Sequence, residues 1–340
     1  MAAVPRIDCI APVLLGPVPE TLAAAINDVG PFPALEWLLN HARHQGFAGD
    51  NAEAILAGIY PDLPAAGPLV AAGHGLSHAG VCYRAAPVHL RPDRDRLLLF
   101  AMGDECLDEE AADQLCQGFN ALYADDGLRL WHQAGDWLLL ADAPPGPALP
   151  PLGQVAGRYL DTVLPSGADA RRWRQLLNEV QMLLHDHPVN AERETRGEAA
   201  VNGLWFWGGG EIVRPETDLG RVVGDDALSR GLAQLGGGVA AGIDTAEGLL
   251  TANEPQAPEQ QLLLWLEAER AVTSGDAQAW LGALQHFETR IATPLAETLR
   301  RGQGQITLYP GNGQCHRLGP SARWRIWRRR KPLSHWIVTE

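Results

Sequence analysis

The sequence predicts an α/β fold, a mainly parallel sheet flanked by helices, with an inserted α+β lobe. Three observations lead there. Apolar runs of strand length alternate with helix-period segments before residue 80 and again after residue 188, as in βαβ units whose sheet is covered on both faces. Residues 80–187 change pattern to paired strands, a helix and a tight hairpin, with a proline-rich connection behind them. A chain of 340 residues also exceeds what one small core organises and suits one large domain carrying an insertion. The expected division is an α/β core from residues 1–79 and 188–340 and a lobe from residues 80–187.

Ile7 to Leu15 is a strand-like apolar run interrupted by Pro12, and Ala34 to Ala42, with Leu35, Leu38 and Leu39, is a helix following the Gly30-Pro31-Phe32-Pro33 turn. Asn51 to Ile59 reads as a further short helix. Ala71 to Gly80 is glycine-rich and holds His74, Ser77 and His78. A serine near histidines invites a nucleophile reading, but Ala79 stands where a G-x-S-x-G elbow needs its second glycine. No partner acid is marked either, so a tight loop is the better account. In the lobe, Val81 to Leu90 and Arg96 to Phe100 read as strands and Asp108 to Tyr123 as a helix capped by Asp108. Leu128 to Trp131 and Trp137 to Ala141 form a hairpin about Ala134-Gly135. Ala143 to Pro151 is a surface connection that limited proteolysis should cut first. Later, Ala227 to Leu235 and Glu259 to Val272 read as helices, and Gln305 to Tyr309 as a strand. Ala277 to Leu299 reads as a long amphipathic helix that Pro294 kinks or splits.

The most organised stretch is Leu177 to Gly210. Trp173, Leu176, Leu177, Val180, Leu183 and Leu184 line one face of a helix that Pro188 ends, and Leu204-Trp205-Phe206-Trp207 is a buried strand running into Gly208-Gly209-Gly210. A buried strand ending in glycines is a common place for a site in an α/β sheet. The string L-N-E-x-Q-M-x-L-H-x-H-P-V-N-x-x-R-E-x-x-G-x-x-x-V-N-x-L-W-F-W-G-x-G resembles the signature of the bacterial RpfE-type regulatory proteins. More distantly, His187, Asn190, Arg193, Gly197, Asn202, Gly208 and Gly210 resemble a block of the archaeal-type, cofactor-independent phosphoglycerate mutases of the alkaline phosphatase superfamily. This second resemblance implies an alkaline-phosphatase-like sheet and places the block at a cleft between two lobes. Its candidate ligand-binding residues are His187, Asn190, Arg193, Asn202, Gly208 and Gly210. A small anion held by Arg193 beside the glycines is the functional reading. The structural alternative has asparagines locking turns and Arg193 tied to Glu179 or Glu192.

Enzymes of that superfamily hold two divalent metals on Asp and His residues at strand ends. This chain departs from the pattern. Cys9-Ile-Ala-Pro-Val-Leu-Leu-Gly16 stands in place of an Asp-Gly pair, and Tyr309-Pro-Gly-Asn-Gly-Gln314 in place of Asp-His-Ser-Thr. Of an H-x-G-D-x-x-x-K pattern only Gly275-Asp276 survives, with Thr273 and Trp280 in the approximate places of the His and Lys. The resemblance therefore implies a catalytically degenerate protein that acts by binding, without metal or cofactor and in a regulatory role. The rival is an active metal-dependent mutase or phosphatase whose ligands have moved to Asp8, His74, His78, Asp244 or His316. His185-Asp186-His187 reads as a structural helix end, because adjacent helical positions point apart.

Composition bounds the partners. A net charge of −14, from 41 acidic and 27 basic residues, disfavours nucleic acid and anionic membranes. The exception is Arg323 to Lys331, six basic residues interleaved with Trp324 and Trp327, which suits an acidic partner, stacking on nucleic-acid bases or an edge strand. No apolar run is long enough to span a bilayer, and the N-terminal segment lacks the basic region of a signal peptide, so a cytoplasmic protein is expected. Five scattered cysteines without a C-x-x-C pair argue against a disulfide framework or zinc site. The expected partner is a protein or a small anionic ligand.

Overall fold

A computed structural model describes residues 5–26, 29–103, 106–165, 171–243, 260–325 and 329–339. The chain forms two compact units, residues 1–63 with 215–340, and residues 64–214. Its strands are β1 (Arg6–Ile10), β2 (Arg43–Gly46), β3 (Val81–Asp93), β4 (Arg96–Ala101), β5 (Leu128–Gln133), β6 (Asp136–Ala141), β7 (Gly203–Glu211), β8 (Arg221–Val223), β9 (Val239–Ala241), β10 (Gln260–Leu264), β11 (Gln305–Tyr309) and β12 (Gln314–Leu318).

The first unit is built on a seven-stranded sheet of order β2-β12-β11-β1-β10-β8-β9. Pairings from β11 through β9 are parallel, and β12 and β2 add antiparallel edges. The predicted mostly parallel α/β sheet is therefore observed. Side chains alternate along β1, so Ile7 and Cys9 enter the main core with Leu263, Ile306 and Leu308, while Asp8 faces the other way. Against that core pack helices Pro33–His41, Ala277–Phe287 and Thr293–Arg300. The last two are the two pieces of the expected long helix. A π turn, Glu288–Ala292, separates them, because Pro294 has no N–H for the ladder. Glu288 then reaches across to take the N–H groups of Ala34 and Leu35 at 2.7 and 2.8 Å, capping the Pro33–His41 helix.

Two sequence expectations fail in this unit. Glu259 to Val272 is not one helix: Gln260–Leu264 is β10, beside β1 in the sheet, and the helix begins at Glu267. A continuous apolar run fits a buried strand or a buried helix equally, and periodicity does not separate them. In the Arg323 to Lys331 run, Pro320–Trp324 is a 3₁₀ helix, residues 326–328 lie outside the described residues, and no strand forms among those described.

The second unit is an antiparallel sheet in which the 13-residue β3 pairs with β4, β6 and β7, and β5 pairs with β6. Its core gathers Leu204 to Trp207 of β7 with Trp173, Leu176, Leu177 and Val180 of helix Arg171–His185. Here the expected boundaries move. Leu204 to Trp207, expected in the parallel core, lies antiparallel to β3, Trp205 opposite Ala86 and Phe206 opposite Ala85. A strand covered on both faces shows the same unbroken apolar run in either kind of sheet, so the run predicts burial and not partnership. Pro188 does end one helix, but as the first residue of another, Pro188–Thr195. The Ala143 to Pro151 segment is built into this unit: the indoles of Trp173 and Trp205 donate to the carbonyls of Pro147 and Pro150 at 2.8 and 2.9 Å, and Leu149 is buried. Preferential cleavage there is no longer expected.

The glycines of β7 serve packing. A Cβ on Gly209 would stand 2.0 Å from the Tyr83 ring, and one on Gly67, in helix Ala66–Gly73, would stand 2.2 Å from the Cys82 carbonyl. Gly209→Ala should cost about 1–3 kcal/mol by overpacking. Gly282→Ala, in the middle of helix Ala277–Phe287 with open space around it, should stabilise by about 0.5–1 kcal/mol. Urea unfolding of both variants checks the pair, and equal effects would contradict this account of Gly209.

Candidate functional site

Ligands of open α/β sheets bind beyond the carboxyl ends of the strands. In the first unit that edge is formed by residues following β1, β10 and β11. Their backbones lock together, Ala11 N–H to Tyr309 O at 3.0 Å, Trp265 N–H to Ile10 O at 2.9 Å and Leu15 N–H to Pro310 O at 3.1 Å. Apolar side chains fill the edge: Ile10, Ala11, Leu14, Leu15, Trp265 and Trp280 all have 0% exposure. Trp280 donates its indole N–H to Val13 O at 3.0 Å. Val13 itself has φ 56°, a left-handed backbone that a β-branched residue rarely adopts and a glycine adopts freely. Pro12 precedes it, and no carboxylate stands anywhere in residues 9–16. Opposite, Gly311 comes so close that a Cβ would lie 2.4 Å from Val13 N.

These residues do not fit a two-metal centre. Such a centre needs several carboxylates and imidazoles converging from strand ends. Here the place expected for a lysine holds the Trp280 indole bound to a carbonyl, and Asp276 caps its helix by accepting from Ala279 N–H at 2.9 Å. Of the relocated ligands, Asp8 and His316 of the first unit do not converge either. Asp8 pairs in register with Thr307, and His316 with Leu308, so their side chains lie on opposite faces of the sheet. His74 and His78 belong to the second unit, and Asp244 lies outside the described residues. No group of three or more His, Cys, Asp or Glu side chains is arranged to hold a metal ion among the described residues.

Polar clusters do occur elsewhere. Asp8 accepts from Tyr60 O–H at 2.9 Å, and Gln260 donates to the same phenol at 2.9 Å. Burial pushes the Asp8 carboxyl up despite these contacts. In the second unit Asp136 bridges His74 at 2.9 Å and Arg84 at 2.7 Å. Burial raises that carboxyl, but Arg84 and His74 outweigh it and hold Asp136 below the ordinary range. Glu269, in helix Glu267–Thr273 shortly after β10, accepts from Ala52 N–H at 3.0 Å. Burial, with Glu53 and Asp50 adding repulsion, pushes it up to about 7.

The block from His187 to Gly210 lies wholly in the second unit, and its polar groups are engaged by protein. His187 caps helix Pro188–Thr195, its Nδ1 accepting from Val189 N–H at 3.4 Å. Asn190 donates to Leu184 O and Val201 O and accepts from Val201 N–H, all within 2.8 Å. Asn202 pairs both ways with the Leu90 backbone, at 2.6 and 2.9 Å. Arg193, 4% exposed, donates to Ala199 O at 2.8 Å and to Cys106 O, and pairs with Glu198 at 3.1 Å. Its acidic partner is therefore Glu198, and neither Glu179 nor Glu192. Gly208 has φ 59°, and a Cβ on Gly210 would meet Pro68 at 3.3 Å, so both serve the approach of helix Ala66–Gly73 to the sheet. Asn190, Asn202 and Arg193 are brought together as stitches around one helix and one strand. The glycines belong to a separate contact.

Two measurements follow from this geometry. Arg193→Ala should lower stability by about 1.5–3 kcal/mol, equally with and without phosphate or 3-phosphoglycerate, because the lost contacts are to protein carbonyls and Glu198. Thermal melts in both conditions check this, and loss of anion protection without destabilisation would reassign Arg193 to a ligand. For Glu269, a folded value above the unfolded one favours the protonated acid in the native state. Its contribution is therefore full below about pH 4.5 and lost as pH rises towards about 7. Glu269→Gln should flatten that window, removing a slope on the order of 2 kcal/mol in urea midpoints taken across it.

No protein-family profile matches the chain. Among curated proteins it is similar to the probable 2,3-bisphosphoglycerate-independent phosphoglycerate mutase of Geobacter sulfurreducens, 26% identical over 67% of this chain and 62% of that protein. It is also similar to the 2,3-bisphosphoglycerate-independent phosphoglycerate mutase of Methanosarcina mazei, 25% identical over 46% of this chain and 44% of that one. The alignments thus cover less than two thirds of these relatives' length. Among solved structures, the PH0037 protein from Pyrococcus horikoshii aligns over 94% of this chain and 88% of its own with a TM-score of 0.55 and 14% identity, a likeness of fold. The chain is a distant homologue of the cofactor-independent phosphoglycerate mutases.

Proposed function

We propose that this chain is a catalytically degenerate relative of the cofactor-independent phosphoglycerate mutases that acts by binding, in the regulatory role its resemblance to RpfE-type proteins implies. One observation carries the proposal. The strand-end edge, where the superfamily assembles its metals, is filled by Ile10, Leu14, Leu15, Trp265 and Trp280, with an indole hydrogen bond closing it. Opening this edge to a phosphorylated substrate and two cations would expose those side chains and leave the cations without carboxylates. The partner is a protein or a small anion. Since Arg193, Asn190 and Asn202 spend their hydrogen bonds inside the second unit, they act as its framework. No helix among the described residues is long and apolar enough to cross a membrane.

Metal analysis of the purified chain, joined to a 3-phosphoglycerate mutase assay with manganese, tests the reading. The expected outcome is substoichiometric metal and no turnover above buffer. Tightly bound stoichiometric metal with turnover would instead establish an active mutase with relocated ligands. In that case Asp8→Asn and His316→Gln identify which side of the sheet carries the chemistry.

A further inference from the structure

The C-terminal residues Lys331 to Thr339 run as a strap over the first unit. Its start is fixed by Asn40, whose side chain exchanges two 2.9 Å hydrogen bonds with the Lys331 backbone, and by Glu36, which accepts from Leu333 N–H at 2.9 Å. Leu333 is buried in the main core. Its far end is fixed to the loop after β1, Val338 N–H donating to Leu15 O at 2.9 Å and Val18 N–H to Val338 O at 3.0 Å. Gly16 permits that approach, since a Cβ there would lie 2.1 Å from Val338 O.

The middle of the strap is held differently. Trp336 packs on His44 and edge-on against His316, at ring separations of 4.8 and 5.8 Å, and its carbonyl accepts from Asn312 Nδ2 at 3.2 Å. Trp336 Nε1, His316 Nε2 and Asn312 Oδ1 are all buried, and none has a hydrogen-bond partner among the described residues. His316 is 0% exposed. Three unmet polar atoms on residues in contact around one side chain, on a segment with satisfied ends, mark a contact that closes at a cost. Asn312 lies in the turn after β11, and Val13 to Val18 follow β1, so the strap covers part of the strand-end edge.

We propose that the strap Lys331 to Thr339 is a latch over the strand-end edge, strained at Trp336 by unmet hydrogen bonds, which opens locally while the seven-stranded sheet stays folded. Opening hydrates Trp336, His316 and Asn312 together and frees the backbone of Leu15 and Val18. The inference concerns the chain's own conformations and stands whether or not the binding role above is correct.

Amide hydrogen exchange on the full chain tests it. The amides of Trp336, Val338 and Val18 should exchange at least about 100-fold faster than those of Ala11 and Trp265, at rates independent of low urea, as local opening requires. Trp336→Phe keeps a ring on His44 and His316 but removes an N–H that has no acceptor, so it should slow strap exchange by about tenfold. Protection of the strap equal to that of Ala11 and Trp265, with the same urea dependence, would overturn the latch. Faster strap exchange in Trp336→Phe would also overturn it, by showing that the indole N–H has a partner. The wild-type urea series decides the question even if that variant folds poorly.

Discussion

The arrangement of the first unit depends on how the loop after β1 is closed. β1 is hydrogen-bonded on both sides, to β10 and β11, so whatever follows it must leave the sheet at the centre of its carboxyl edge. Residues 11–15 do so as a tight, left-handed turn at Val13, and the Trp280 indole fixes the Val13 carbonyl from a helix 267 residues away. A left-handed valine costs on the order of 1–3 kcal/mol, while burying a tryptophan side chain contributes a comparable or larger amount. The packing therefore tolerates a backbone suited to glycine.

Much of this was legible in the sequence, for definite reasons. Helices with a clear apolar stripe, such as Arg171–His185 and Ala227–Leu235, were located because their period is local information. The mostly parallel sheet followed from element alternation. What was missed is non-local. β2, Arg43–Gly46, has four exposed residues and no apolar signal, and exists because its backbone completes β12. β10 was mistaken for helix because Gln260 to Leu264 is buried on both sides. The true partner of Arg193, the indole bonds to Pro147 and Pro150, and the grip of Asn40 on Lys331 join residues that no spacing rule connects.

The candidate block in the second unit illustrates why a specific motif is not by itself a ligand site. Asparagine and arginine between a helix and a strand have the chemistry to hold an anion and equally the chemistry to satisfy carbonyls left at a helix end. Geometry decides between these uses. Asn190 makes three protein hydrogen bonds within 2.8 Å and Arg193 is nearly enclosed, so an incoming anion would have to displace contacts that are already short and buried.

Distant homology and local chemistry then point to different kinds of statement. Identity near 26% with mutases concerns ancestry. The strand-end edge concerns local chemistry: Asn312 donates to Trp336 O, His316 packs against the same indole and pairs with His44, and Glu269 accepts from Ala52 N–H, with no metal-holding group of three among the described residues. His316 is pushed down to about 3 by burial with His44 beside it, so it stays a neutral hydrogen-bonding group throughout the physiological range. A neutral imidazole under a half-buried indole suits a contact that forms and breaks, since no buried charge has to be desolvated each time it closes.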